Sequence, residues 1–207
     1  MSKFFSQVPK ICYTNDTKWA YIPIPKCASL FGMKYFIDGY KMTDQRDWSE
    51  DKTFDKNFII FIRNPLKRWM SGLTEFLFQE KFINNIEYNL EDDKVLRLLF
   101  LGCRFDAHTT PQIYFLDHIN ITNAYFFDID DPRFLPKLNY FCTLNLGYKV
   151  ENIPNKNVTS ENIFKSKVLE KFLITYNQNS YLRDIVDHRL LPDQKYITYL
   201  YSSKKVI

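Results

Sequence analysis

Glycine is scarce in this chain, with five in 207 residues, and none falls between Tyr21 and Lys26, where an apolar segment runs into a lysine. That absence excludes a Walker A loop, whose glycines let the backbone bend around phosphates. Pro23 and Pro25 remove two further backbone donors from the same stretch. The four cysteines, Cys12, Cys27, Cys103 and Cys142, form no C-x-x-C pair and no zinc-like spacing with the three histidines, so reduced thiols and no metal site are expected. No apolar window approaches the length that spans a bilayer, and the first ten residues lack the apolar run of a signal peptide. The expectation is a soluble, cytoplasmic protein without a membrane span. Basic residues outnumber acidic ones by 28 to 24, which suits an anionic ligand but falls short of the basic stripe of a nucleic-acid binder, so no nucleic-acid partner is expected.

What the chain does have is apolar and aromatic bulk, 45% and 17% of residues, enough to bury a core as a single domain over residues 1–207. Trp19 to Ile24 reads as a buried strand, and Ser29 to Gly39 as a helix with Phe31, Tyr35 and Phe36 at helical spacing. Lys41 to Asn57 is polar and without a strong period, a surface connection. Phe58 to Ile62 is almost wholly apolar, as in a central parallel strand covered on both faces. Asn64 then caps a helix that Pro65 opens and that reaches about Gln79, with Leu66, Trp69, Met70, Leu73, Phe76 and Leu77 on its apolar face. Further helices are expected near Glu91–Leu101, Pro111–Ile119 and after Pro132, a third strand at Ala124–Phe127, a loop over Val150–Ser160, and helical pieces to about Tyr201. Strand and helix segments thus alternate along the chain, an α/β pattern.

Two strand-to-helix corners each present a cation, Lys26 in Pro25-Lys26-Cys27-Ala28-Ser29 and Arg63 in Arg63-Asn64-Pro65-Leu66-Lys67-Arg68-Trp69-Met70-Ser71. At the carboxyl edge of a parallel sheet, helix N-termini and free backbone N–H groups bind anions. A ligand with two separated phosphate groups fits this layout. The two segments, in this order, resemble the signatures of sulfotransferases that use 3'-phosphoadenosine 5'-phosphosulfate (PAPS), in particular the membrane-type carbohydrate branch, and the likeness covers the first third of the chain. It implies a single α/β domain, a three-layer sandwich with a central parallel sheet flanked by helices, related to the P-loop NTPases. It also implies a PAPS cofactor, a carbohydrate or other hydroxyl-bearing acceptor as partner, and in-line sulfuryl transfer.

By that resemblance, the backbone N–H groups of Cys27, Ala28, Ser29 and Leu30 and the Ser29 hydroxyl wrap the 5' phosphosulfate, and Lys26 neutralises charge on the leaving group. Arg63 and Ser71 hold the 3' phosphate. Leu30 stands where relatives often carry a second hydroxyl, and Asn64 replaces the commoner Asp. Lys67 and Arg68 are read as an ordinary exposed helix face. His108, in His108-Thr109-Thr110-Pro111-Gln112, matches a His-x-x-Pro-Gln stretch of several carbohydrate sulfotransferases and is the expected base. Glu75 and Asp106 are rival bases, or orienters of the imidazole. Trp48, Tyr88 and Tyr114 are candidates to stack on a sugar ring. Two other classes remain: a non-catalytic nucleotide- or glycan-binding relative, and a small-molecule kinase, which the missing glycines disfavour.

Overall fold

The computed structural model describes residues 11–13, 18–45, 56–102, 105–116, 120–148 and 162–207. The expected loop at Val150–Ser160 and Trp48 lie outside the described residues. Five strands form one sheet in the order β3-β1-β2-β4-β5, with β1 at Ile11–Tyr13, β2 at Trp19–Ile22, β3 at Thr43–Gln45, β4 at Asn57–Ile62 and β5 at Ala124–Asp128. The three strands anticipated from their apolar runs, β2, β4 and β5, pair in parallel, with Ile22 opposite Ile60 and Ile60 opposite Phe126. The sheet is nonetheless mixed, because β1 pairs antiparallel with both β2 and β3. Those two strands are three residues long, too short for alternation to announce them.

The α-helices among the described residues are α1 (Ser29–Tyr40), α2 (Pro65–Phe82), α3 (Asp93–Gly102), α4 (Phe134–Leu146), α5 (Ile163–Gln178) and α6 (Ser180–Ser202). In place of the helix expected over Pro111–Ile119, Gln112–Phe115 forms a 3-10 turn. The cap of α2 is the expected one: Pro65 opens the helix and the Asn64 side chain accepts the Lys67 N–H at 3.1 Å.

The residues gather into two compact units, the first comprising 1–63, 112–156 and 196–207 and the second 64–111 and 157–195. The first holds the sheet. Phe58 to Ile62 of β4 are buried, as a strand covered on both faces requires. Tyr21 stacks on Phe36 of α1 with ring centroids 4.7 Å apart and lies 4.9 Å from Phe61, and Trp19 packs between Tyr125 and Phe141, 5.3 Å from each. After α6 the chain returns to β5, where the Phe126 N–H donates to the Lys205 carbonyl and the Ile207 N–H to that of Phe126. These bonds cover part of an edge that would otherwise be open to pairing with another chain.

The second unit is helical. Trp69, Leu73 and Leu77 of α2 meet Leu96, Leu99 and Phe100 of α3, Phe172 of α5 and Leu182, Val186 and Leu190 of α6 in one buried cluster. Each such side chain contributes about 1.5–3 kcal/mol by leaving water. No helix among the described residues is long and apolar enough to cross a membrane.

The Tyr21 hydroxyl is buried and has no hydrogen-bond partner among the described residues. Burial, and then the nearby thiols of Cys27 and Cys12, push its pKa upward, so it stays a neutral, unsatisfied donor. A group of this kind costs about 1–3 kcal/mol. Tyr21→Phe is therefore expected to keep or raise thermal stability, and a clear fall in melting temperature would show that the hydroxyl has a partner.

Candidate functional site

The corner after β2 is a tight turn in strained backbone. The Ile24 N–H donates to the Ile22 carbonyl and the Cys27 N–H to the Ile24 carbonyl, both at 3.1 Å, while Lys26 and Ala28 have positive φ, 65° and 55°. For residues with a Cβ, left-handed backbone costs roughly 1–2 kcal/mol each. Ala28, left-handed, immediately precedes right-handed α1, the alternation that turns successive N–H groups into an anion-binding nest. The Gly32 N–H reaches the Ala28 carbonyl at 2.9 Å, so the N–H groups of Ser29, Leu30 and Phe31 belong to the free first turn of the helix. Cys27 departs from its expected role. Its N–H closes the turn and its side chain is buried, which leaves Ala28, Ser29 and Leu30 as the backbone donors. The Leu30 side chain is 64% exposed, and Lys26 is half-buried.

Arg63 follows the last residue of the neighbouring parallel strand, β4. The two corners are joined by Gln112, which ends the His-x-x-Pro-Gln stretch but which sequence reasoning gives no role, because a neutral amide carries no charge signal. Gln112 is fully buried. Its Oε1 accepts the Cys27 thiol at 3.4 Å and the Arg63 backbone N–H at 3.2 Å, and its Nε2 donates to the Arg63 carbonyl at 2.6 Å. The structure thus brings the turn carrying Lys26 and the backbone of Arg63 together within the first unit. The Arg63 side chain faces Asp130, in the loop after β5, with Nε 3.5 Å from Oδ1. That Nε is buried without a hydrogen bond among the described residues.

In the second unit, the segment carrying His108 is folded on itself and fastened to α2. One carboxylate oxygen of Asp106 accepts the N–H groups of His108 and Thr109 at 2.9 and 3.0 Å, and the other lies 2.7 Å from His108 Nδ1. A carboxylate only accepts, so Nδ1 carries a proton toward Asp106, and whenever the ring holds a single proton Nε2 is the nitrogen left to accept another. Asp106 is therefore an orienter of the imidazole. Glu75, the other rival base, is held by Lys165 at 2.7 Å.

Arg68 corrects its reading as part of an exposed face. It is 1% exposed, and its guanidinium donates to the carbonyls of Thr110 and Ala107, pinning the His108 segment from both sides. Next to it, Gly72 allows the closest approach: a Cβ there would lie 2.1 Å from the His108 carbonyl oxygen. Ser71, between these two anchors, is buried, 7% exposed.

A hollow of about 20 Å³ lined by Leu77, Lys81, Glu87, Tyr88, Leu90 and Phe164 also lies in the second unit. It is water-sized, and of all the candidate residues it contains Tyr88 alone. Tyr114, in the first unit, is 51% exposed. A scan against protein-family models finds no match to this chain, and searches of curated proteins and of solved structures find none either.

Two outcomes test this geometry. Gly72→Ala gains about 1 kcal/mol of helix propensity but drives a methyl group into backbone, so a net loss of stability above about 2 kcal/mol is expected; an unchanged melting curve would remove the contact with His108. For Asp106, burial pushes the pKa up, but the hydrogen bond and charge of His108 and the donors of Thr109 outweigh it, and the net shift is downward. A carboxyl depressed in the folded state contributes stability above its unfolded pKa of about 3.9 that is lost as pH falls through the folded value. Asp106→Asn should accordingly flatten the acid limb of the stability profile below about pH 4, and an unchanged limb would deny the ion pair.

Proposed function

We propose that this chain is a PAPS-dependent sulfotransferase of the P-loop-related, three-layer α/β type, transferring a sulfuryl group to an acceptor hydroxyl, with a carbohydrate as the favoured acceptor. The observation that carries the proposal is the buried Gln112 amide, which ties the turn of Lys26 to the backbone of Arg63 at the ends of adjacent parallel strands. A cofactor with separated 5' and 3' anionic groups needs two cationic corners held in fixed relation. The donor set fits such a group: a left-handed nest opening α1, a lysine inside that turn, and a buried guanidinium N–H without a hydrogen bond among the described residues.

PAPS, when bound, supplies an activated sulfuryl group. The N–H groups of Ala28, Ser29 and Leu30 and the Ser29 hydroxyl bind the 5' end, and Lys26 balances negative charge there as it grows in the transition state. Arg63 binds the 3' phosphate; Ser71, in the second unit, enters this reading through the motif resemblance alone. The same resemblance names His108 as the base, and within its own unit Asp106 is placed at Nδ1 to stabilise an imidazolium formed by protonation at Nε2.

The test is incubation of the purified chain with sulfur-labelled PAPS and a panel of glycans, peptides and small alcohols, without added metal. Labelled product is expected. Lys26→Ala should lower kcat by about 10²–10³ with little change in cofactor affinity, Arg63→Ala should chiefly weaken that affinity, and His108→Ala should cost about 10²–10⁴ in rate. Heat stabilisation by 3'-phosphoadenosine 5'-phosphate with no product from any acceptor would point to a non-catalytic nucleotide-binding relative. Neither product nor stabilisation would end the proposal.

A further inference from the structure

The loop after β5 carries two carboxylates with different partners. Asp131 is taken by the cations that follow it, with Lys137 Nζ at 2.8 Å and Arg133 Nε at 3.6 Å. Asp130 instead faces Arg63, and the approach is poor: its Oδ1 stands 3.5 Å from Nε, an ion pair by distance but not a hydrogen bond, and both side chains are about one quarter exposed or less. The backbone of each partner is fixed independently. Gln112 holds the N–H and carbonyl of Arg63, the Asp130 N–H donates to Asp128 Oδ1 at 2.9 Å, and the Ile129 N–H donates to the Ile62 carbonyl at 3.0 Å. The carboxylate is thus kept close enough to attract the guanidinium without satisfying its buried N–H.

We infer that Asp130 is a resident competitor at Arg63, an acidic group that an incoming phosphate must displace or tolerate, and that it sets how tightly the anion is held. The inference rests on the reading of Arg63 as an anion ligand. The physical balance is direct. An anion oxygen at Nε gains the hydrogen bond that Asp130 does not make, worth more than an ordinary one because it is charge-assisted. Against that, the anion gives up part of the Arg63 attraction and meets a like charge. For an enzyme whose spent cofactor keeps its 3' phosphate, such a group limits product retention and favours release.

The experiment measures the dependence of melting temperature on inorganic phosphate and on 3'-phosphoadenosine 5'-phosphate for the wild-type chain, Asp130→Asn, Asp131→Asn and the double variant Asp130→Asn with Arg63→Gln. Asp130→Ser serves if the amide variant does not fold. Removal of the Asp130 charge should tighten apparent affinity for both anions about three- to tenfold. Asp131→Asn removes the same net charge away from Arg63 and should change it less than twofold, and the gain should vanish in the double variant. Equal or weaker anion affinity in Asp130→Asn would overturn the inference, making Asp130 a support for Arg63. So would a gain that survives Arg63→Gln or is matched by Asp131→Asn, and so would a set of proteins none of which responds to either anion. If inorganic phosphate binds more tightly to Asp130→Asn while the adenosine bisphosphate is no better a ligand than phosphate itself, the inference stands and the sulfotransferase reading falls.

Discussion

A buried primary amide is costly unless its oxygen and nitrogen both find partners, and Gln112 finds them on the two segments that carry the candidate cations. Its oxygen takes the Cys27 thiol and the Arg63 N–H, while its nitrogen takes the Arg63 carbonyl. The pairing of β2 with β4 brings the carboxyl ends of the two strands side by side, with Ile22 opposite Ile60. Beyond those ends neither corner has sheet partners to fix it, and the amide replaces the missing ladder. Lys26 and Arg63 act as one site only if their backbones hold a constant relation, so any chemistry assigned to the pair depends on Gln112. A small apolar residue there would leave the part-buried N–H and carbonyl of Arg63 without this partner, at up to about 1–3 kcal/mol each.

The strained turn after β2 belongs to the same argument. Left-handed backbone at Lys26 and Ala28 costs stability. What the conformation does achieve is an inward Cys27 side chain, held by Gln112, and an exposed Leu30 at the start of α1. Of the positive-φ residues other than glycine among the described ones, Lys26 and Ala28 fall at the candidate turn, while Lys41, Asn85 and Lys204 lie elsewhere.

Much of this is legible in the sequence because it depends on local chemistry. The apolar runs announce β2, β4 and β5, and Asn64 with Pro65 marks the start of α2. The antiparallel strands β1 and β3 stay hidden because three residues carry no period. Arg68 misleads for a related reason: a guanidinium beside Lys67 in a helix looks solvated unless its acceptors are known, and those acceptors are backbone carbonyls about forty positions away. One clue is present in the composition of the helix. Ser71 and Gly72 put two small residues in an otherwise bulky segment, which signals that something approaches closely, and that something is the His108 backbone.

The division into two units also follows from the strand order. β4 and β5 are hydrogen-bonded parallel neighbours, and parallel pairs require a crossover connection; here the first part of that crossover, residues 64–111, belongs to a helical unit with its own buried cluster. The chain leaves the sheet-bearing unit after Arg63 and returns to it at Gln112, and these two residues are the ones bonded to each other through the Gln112 side chain. The entropy of closing a long connection rises only slowly with its length, so an insertion of this size is tolerable once its neck is fastened. The fastening lies at the candidate site itself, because the residue that closes the neck is the one that aligns the cationic corners. A single buried amide thus serves the topology and the candidate site together, and a change at Gln112 that spared one would still be felt in the other.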